Sequence, residues 1–210
     1  MEVVEVIPEK KHRFRVVFED SSVFVLYRSD ISKYHISEHV NISEEDYKEI
    51  VTNLLVKRAV NRIAYLLERK DYTIYQILTK LRMAGYPDES ANKAVEKMQL
   101  LGFLDDYRFA LRYLECHAKS KSMNGMVQEL RQKGISSDVI KSAKETIMSE
   151  DNQPDEKKIV RDILRKRHYY EKESNDKEKA KQFAYLMRKG FAANVIRYEL
   201  SNFSKYAENI

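Results

Sequence analysis

Tryptophan is absent from this 210-residue chain, and only one cysteine, three prolines and five glycines occur in it. With 34% charged residues and 43% in the hydrophobic class, so few chain breakers leave the composition of a soluble, strongly helical protein. The length allows one or two domains with an ample core. The lone Cys116 excludes an intrachain disulfide and fits a reducing cytosol. With no partner motif beside it, Cys116 reads as a small buried apolar residue and not as a nucleophile. No apolar run approaches the ~18 residues of a membrane span. The opening MEVVEVIPEK carries acids where a secretory leader carries basic residues. A cytoplasmic protein without a membrane partner is expected.

The phosphate-cradling patterns G-x-x-x-x-G-K-[ST] and G-x-G-x-x-G are missing, as is the nucleophile elbow G-x-S-x-G. No cofactor and no bond-making chemistry are expected. His35-Ile36-Ser37-Glu38-His39 does read H-x-x-E-H, the inverted zinc-protease pattern. It lies in a short polar segment and not in a long buried helix, so it reads as a surface turn with two exposed histidines, and no metal site is expected.

Charge is unevenly placed. Residues 1–56 carry 7 basic and 11 acidic side chains, a net of −4, whereas residues 57–210 carry 31 and 22, a net of +9. A basic helical body invites a polyanion, either nucleic acid or an acidic protein groove. The plainer reading is solvated helix faces rich in Lys.

FRVVF (14–18) and SVFVLY (22–27) are β-branched and aromatic, and the EDSS at 19–22 has turn chemistry. That predicts a short N-terminal β-hairpin, which should pack on the helices that follow because a lone hairpin is marginal in water. From Ile42 the pattern turns helical, and Ser43 with Asp46 marks a helix start.

An internal repeat follows. Ile74, Ile77, Leu78 and Leu81 have the i, i+3, i+4, i+7 spacing of one buried helix face, ended by Gly85. Met123, Met126, Val127 and Leu130 repeat it up to Gly134, 49 residues on, and Phe183 and Leu186 repeat it more weakly up to Gly190, 56 further. The extra residues of the third copy are placed in EKESNDKEK (171–179). After each glycine comes another apolar helix, carrying Ala91, Ala94, Val95, Met98 and Leu101, then Ile140, Ala143 and Ile147, then Ile196, Leu200 and Phe203. A longer helix opens each unit, marked by Ile63, Leu66 and Leu67, by Phe109, Ala110, Tyr113 and Leu114, and by Ile159, Val160, Ile163 and Leu164.

The fold class is therefore mainly α. Three tandem three-helix repeats, the signature of a helical repeat protein, follow a short N-terminal β-hairpin extension. The expected divisions are 1–56 for the hairpin and the start of the first helix, then repeats at 57–104, 105–152 and 153–210.

Caps agree with this division. Thr73-x-x-Gln76 is a capping box, and Asp88 and Ser137, 49 apart, suit the N-caps of third helices. The third copy has Ala193 and Glu178 at the corresponding places. Asp105 and Asp106 raise the question of a catalytic carboxylate pair. Gly102 ends one repeat, so Asp105 should cap the next helix with Asp106 in its first turn. Leu104 should face Phe109 as a hydrophobic staple. Two carboxylates at the positive end of a helix suit capping, not acid catalysis.

What remains is surface. Arg165-Lys166-Arg167-His168-Tyr169-Tyr170 sets basic groups beside aromatics, a combination that can contact phosphates and stack on bases. Basic residues also precede each repeat's glycine: Arg82, then Arg131 and Lys133, then Arg188 and Lys189. These are candidate contacts to nucleic acid or protein, or simply cations complementing helix dipoles.

AYLLERKDYTIYQILTKLRMAGY (64–86), LGFLDDYRFALRYL (101–114) and VQELRQKGISSDVI (127–140) resemble the RecX family of bacterial recombination regulators. The resemblance covers residues 57–150 closely, extends to the N-terminal segment of some members, and matches the C-terminal stretch in outline. It implies three tandem three-helix units forming an elongated, curved body, in which Gly85, Gly102, Leu104, Asp105, Phe109, Ala110, Tyr113 and Gly134 serve as fold determinants. It also implies binding in the groove of the RecA–single-stranded DNA filament, with modulation, usually inhibition, of recombinase and coprotease activity in DNA repair and the SOS response. No catalysis is implied, and a monomer is expected with weak, sequence-independent affinity for single-stranded DNA. Ser122-Met-Asn-Gly125 departs from the family's usual basic-Gly entry to the second unit's middle helix.

Two other readings compete. A sequence-specific helix-turn-helix regulator would cluster basic residues on the helix after the turn, whereas here they lie before it. A protein-only helical adaptor would show no DNA affinity. As to shape, a compact chain of this length has a radius of gyration near ~17 Å. Solution scattering should exceed that clearly, and a value at or below it would sink the solenoid reading.

Overall fold

The computed structural model describes residues 1–149, 154–169 and 176–202. The chain divides into two compact units, Met1–Asp105 and Asp106–Ile210.

The first unit opens with β1 (Val3–Glu9), β2 (Arg13–Phe18) and β3 (Val23–Tyr27), an antiparallel sheet in the order β1-β2-β3. The expected hairpin is β2–β3, with Val16 opposite Phe24. The third strand, β1, corrects the hairpin expectation. It is an edge strand that carries Pro8, a residue tolerated only where no ladder donor is needed, and Val3 is its one fully buried side chain. Pairing with β2, not an alternating pattern of its own, makes it a strand.

The short helix α1 (Arg28–Lys33) follows β3, and α2 (Glu44–Glu49) starts where Ser43 Oγ accepts from the Asp46 N–H at 2.9 Å. A π-helical turn, Ile50–Leu54, then leads into α3 (Leu55–Leu67). The turn brings Ile50, Val51 and Leu55 inward, where they meet Val16, Phe18, Phe24 and Leu26 of the sheet in one core. As expected, the strands pack on helix.

The rest of this unit is α4 (Ile74–Met83) and α5 (Asp88–Leu100). Thr73 makes its capping box with Gln76. Ala59 and Ile63 of α3, Ile77 and Leu81 of α4, and Ala91, Ala94, Val95 and Met98 of α5 close a second core. Ser90 is fully buried on α5 and donates to the Val51 carbonyl at 2.6 Å, tying this core to the π-helical turn. The α5 cap is Pro87, one residue before the expected Asp88, because proline's fixed φ already suits that position. Asp88 instead receives Arg82 Nε at 2.6 Å.

The second unit comprises α6 (Asp106–His117), α7 (Met123–Gln132) and α8 (Ser137–Ser149), then α9 (Glu156–Lys166), α10 (Asp176–Arg188) and α11 (Ala193–Ser201). The first three helices share a core of Ala110, Leu114, Met126, Leu130, Ile140, Ala143 and Ile147. The last three enclose Ile159, Val160, Leu164, Leu186, Ile196 and Leu200. The start of α8 is also one residue earlier than expected, Ser136 Oγ accepting from the Val139 N–H at 3.4 Å. Asp176 to Lys179, expected in the inserted stretch, begin α10, while residues 171–175 of that stretch and Phe203 lie outside the described residues.

Cys116 is exposed, contrary to expectation. Ala110 and Leu114 set the inward stripe of α6, and at ~100° per residue position 116 falls on the opposite side of the helix.

One helix stop recurs. Gly85, Gly134 and Gly190 have φ of 81°, 83° and 83°, and each N–H bonds at 2.9 Å to the carbonyl three residues back. The next N–H reaches five back: Tyr86 to Leu81, Ile135 to Leu130 and Phe191 to Leu186. These are Schellman motifs, with an apolar pair bracketing each stop. Gly102 ends α5 in the same way, and at α9 His168, with φ 54°, takes the glycine's place.

Two glycines define the joint in the second unit. Ser122 is fully buried before α7, and its Oγ accepts from the Gly125 N–H at 3.0 Å and donates to the Lys189 carbonyl at 2.8 Å. A Cβ on Gly125 would lie 2.7 Å from that carbonyl oxygen. Packing therefore fixes both Ser122 and Gly125 at this place.

Substitutions at Gly102 and Gly125 separate two effects. A methyl group on Gly102 would meet nothing within 4 Å, so Gly102→Ala should cost only the left-handed backbone penalty, ~1–2 kcal/mol. Alanine is the better helix former by up to ~1 kcal/mol, yet Gly125→Ala should destabilise. Urea denaturation checks both, and a stabilised Gly125→Ala variant would contradict the joint.

Candidate functional site

The helix stops decide where the expected cations stand. Arg82 is exposed beside Asp88, and Arg131 is exposed on the last turn of α7. Arg188 and Lys189 are exposed at the end of α10, and Lys133 is half-buried. Arg165 and Lys166 are exposed at the end of α9. Arg167 turns inward, its Nε donating to the buried Gln182 at 2.6 Å while its guanidinium stacks 4.0 Å from the Tyr185 ring centre. Tyr169 is 1% exposed, which removes it as a stacking platform: it is the apolar partner of Leu164 in the α9 stop. Tyr170 lies outside the described residues.

A cation–aromatic motif emerges that single-residue reading missed. In each repeat one tyrosine ring has two cations near it. Tyr72 has Lys70 at 4.7 Å and Lys80 at 5.2 Å. Tyr113 has Lys121 at 5.3 Å and Lys133 at 5.7 Å. Tyr185 has Arg167 at 4.0 Å and Lys189 at 5.6 Å. Each such contact contributes ~0.5–1 kcal/mol at an exposed site. The signal was legible only in part, because Tyr72, Tyr113 and Tyr185 sit at different places in their repeats.

The Tyr113 cluster is the most strongly coupled. Lys121 Nζ donates to Glu129 Oε2 at 2.6 Å and to the Tyr113 hydroxyl at 2.9 Å, and that hydroxyl donates to Glu129. Burial pushes the Tyr113 phenol up, and its hydrogen bond to Glu129 adds to this. Burial also works to raise Glu129, but the hydrogen bonds from Lys121 and Tyr113 outweigh it and hold the carboxyl low. Burial works to lower the Lys121 ammonium, and the same contacts raise it overall. The cluster binds α6 to α7 and leaves both charges compensated.

Asp105 immediately precedes α6 and Asp106 lies in its first turn. Leu104 belongs to the core of residues 59–104, while Phe109 packs on that of residues 110–147. Ala110 is fully buried and Tyr113 half-buried. His35 and His39 are both exposed, and with φ of 49° and 62° they sit in turns, not on a helix face. Among the described residues, no group of three or more metal-ligating side chains occurs and no helix is long and apolar enough to cross a membrane.

Fold and surface together define a class: a protein of tandem three-helix domains presenting cations from its helix ends, some of them beside tyrosine rings. Residues 105–143 match the model of the second three-helix domain of RecX, and residues 155–200 that of the third. Regulatory protein RecX of Clostridium botulinum (strain Eklund 17B / Type B) is 26% identical over 208 residues, 97% of each chain. That of Vibrio vulnificus (strain CMCP6) is 31% identical over 138 residues, 65% of this chain and 87% of its own. A crystal structure of regulatory protein RecX superposes with a TM-score of 0.61 at 21% identity, covering 94% of this chain and 98% of that one. RecX from Lactobacillus salivarius gives 0.56 at 18% identity, covering 71% of this chain and 97% of its own. The chain belongs to the RecX family of regulatory proteins.

The Glu129 carboxyl offers a direct check of the cluster. A carboxyl held low stabilises the fold above its ordinary pKa, and that contribution is lost as pH falls through the folded value. Lys121→Met should raise the Glu129 pKa in a carbon-13 carboxyl titration. An unchanged titration would mean that the three groups do not meet in solution.

Proposed function

We propose that this protein binds the RecA–single-stranded DNA filament and modulates, most often inhibits, RecA recombinase and coprotease activity in DNA repair and the SOS response. The observation that carries the reading is family membership, with relatives named as regulatory proteins that align over 97% of this chain. Two physical features support it. The body from residue 57 onward carries a net of +9, suited to a polyanionic strand. Each repeat offers cations beside an aromatic ring, a pairing that serves phosphates and unpaired bases together.

Arg82, Arg131, Lys133, Arg165, Lys166, Arg188 and Lys189 are the candidate contacts to DNA or RecA. Arg167 acts mainly by orienting Tyr185. Contacts of this kind read charge and stacking, not base identity, so binding has little sequence preference. The chain functions as a monomer in the cytoplasm, without a cofactor, and its action is regulatory and not catalytic.

The test is RecA-dependent ATP hydrolysis on single-stranded DNA, titrated with this protein. Hydrolysis should fall as protein is added, and affinity for RecA-coated strands should exceed that for bare strands because both components are engaged at once. Unchanged hydrolysis together with equal affinity for bare and coated strands would leave a generic DNA-binding protein.

A further inference from the structure

A cleft of about 590 Å³ opens in the second unit beside the joint between α7 and the α10–α11 turn. Gly125 forms part of its lining, with Ile163 and Phe191 as apolar wall. Tyr185 also lines it, its ring centre 4.0 Å from the Arg167 guanidinium and 5.6 Å from the Lys189 ammonium. From α7, Gln128 and Gln132 enter the same cleft one helical turn apart, both exposed. Lys121, Arg188 and Lys189 supply positive charge. The single carboxylate, Glu129, is already compensated by Lys121 and Tyr113.

Three kinds of chemistry converge here. An aromatic and apolar wall receives a flat ring. Two primary amides each bring a donor group and an acceptor, matching the edge of a heteroaromatic base. Arg188 and Lys189, adjacent at the end of α10, receive an anion. A bare phosphate would use only the cations, and an acidic peptide would leave the wall and the amides unmatched. A base carrying a phosphate uses all three, and the volume lies within the ~300–1,000 Å³ of small-ligand sites.

We propose that this cleft holds one nucleotide, its base against Tyr185 and the α7 amides and its phosphate at Arg188 and Lys189. The proposal rests on the reading of the protein as one that engages single-stranded DNA, and it names where on the chain one unit of the strand is held. A free nucleotide offers the same chemistry, so the experiment must separate the two sources.

The full chain is titrated against a labelled mixed-sequence single strand, read by fluorescence anisotropy, and against adenosine monophosphate, read by the side-chain amide NMR signals of Gln128 and Gln132. All substituted positions are exposed, and circular dichroism verifies that the variants fold. Gln132→Ala with Arg188→Ala should weaken strand binding about tenfold or more, the scale of one lost hydrogen bond to a charged group. A strand carrying 5-iododeoxyuridine should photo-crosslink to the peptide containing Tyr185. Amide shifts with the strand alone identify a strand site, and saturation by adenosine monophosphate identifies a free-nucleotide site. Full affinity in the double variant, with the loss appearing instead in Arg165→Ala with Lys166→Ala, would overturn the cleft and leave the filament reading intact. If the wild-type chain binds neither bare nor RecA-coated strands, the functional reading falls and the cleft with it.

Discussion

Everything in this chain depends on stopping a helix and reversing direction without leaving the core. A residue in the left-handed region does this at Gly85, Gly102, Gly134, His168 and Gly190. At four of these stops, the apolar residues on either side sink into the same core: Leu81 with Tyr86, Leu130 with Ile135, Leu164 with Tyr169 and Leu186 with Phe191. The hydrogen bond from the second residue beyond the helix back into its last turn thus does two things. It satisfies carbonyls that the helix end would leave orphaned, and it aims an apolar side chain inward. Helices of only 10 to 13 residues, such as α4, α7 and α10, are marginal alone and depend on that return contact.

The same stops serve as docking points. In the first unit a Cβ on Gly85 would overlap Val25 Cγ2 of β3, so the sheet is seated against the bare backbone of the α4 stop. In the second, Gly190 lies against Gly125, and Ser122 stitches the two with a buried hydroxyl. The Met123 N–H adds a bond of 3.1 Å to Glu156 at the start of α9. Absence of side chains at these positions lets the Val25 side chain approach Gly85 and lets the backbones at Gly125 and Gly190 meet, with polar groups completing the second contact. Buried charges are handled alike: Arg161 takes Glu199 through two bonds of 3.0 and 3.1 Å, and Arg58 takes Asp30 at 2.6 and 2.8 Å. Each buried carboxylate is met by a guanidinium fork, without which its desolvation would be costly.

Placing cations at helix ends also shapes the surface. A basic residue near a stop complements the helix dipole at no packing cost, and at Lys133 and Lys189 the stop brings it near a tyrosine. Structural and binding roles are therefore hard to separate by charge alone. Geometry separates them. Arg167 is consumed by Gln182 and Tyr185, whereas Arg188 stands exposed at the rim of a cleft that also offers amides and an apolar wall.

Much of the architecture was legible in the sequence because it is local. The buried stripes of Ile77 and Leu81 or Met126 and Leu130, the capping box at Thr73, the Ser43 start and the glycine stops all involve partners within a few residues. Spacing alone reveals such features. Tertiary structure decided the rest. β1 is a strand because β2 pairs with it, Pro8 and all. The π-helical turn positions the Val51 carbonyl that Ser90 takes from 39 residues away. His168 in a conformation usually left to glycine hid the fifth stop, and with it the burial of Tyr169. Gly125 looks like a lapse in a helix until the Lys189 carbonyl is seen against it. The cleft, assembled from α7, α9 and the α10–α11 turn, has no sequence signature at all, since periodicity reports which face of a helix is buried and not which exposed faces come to share a cavity.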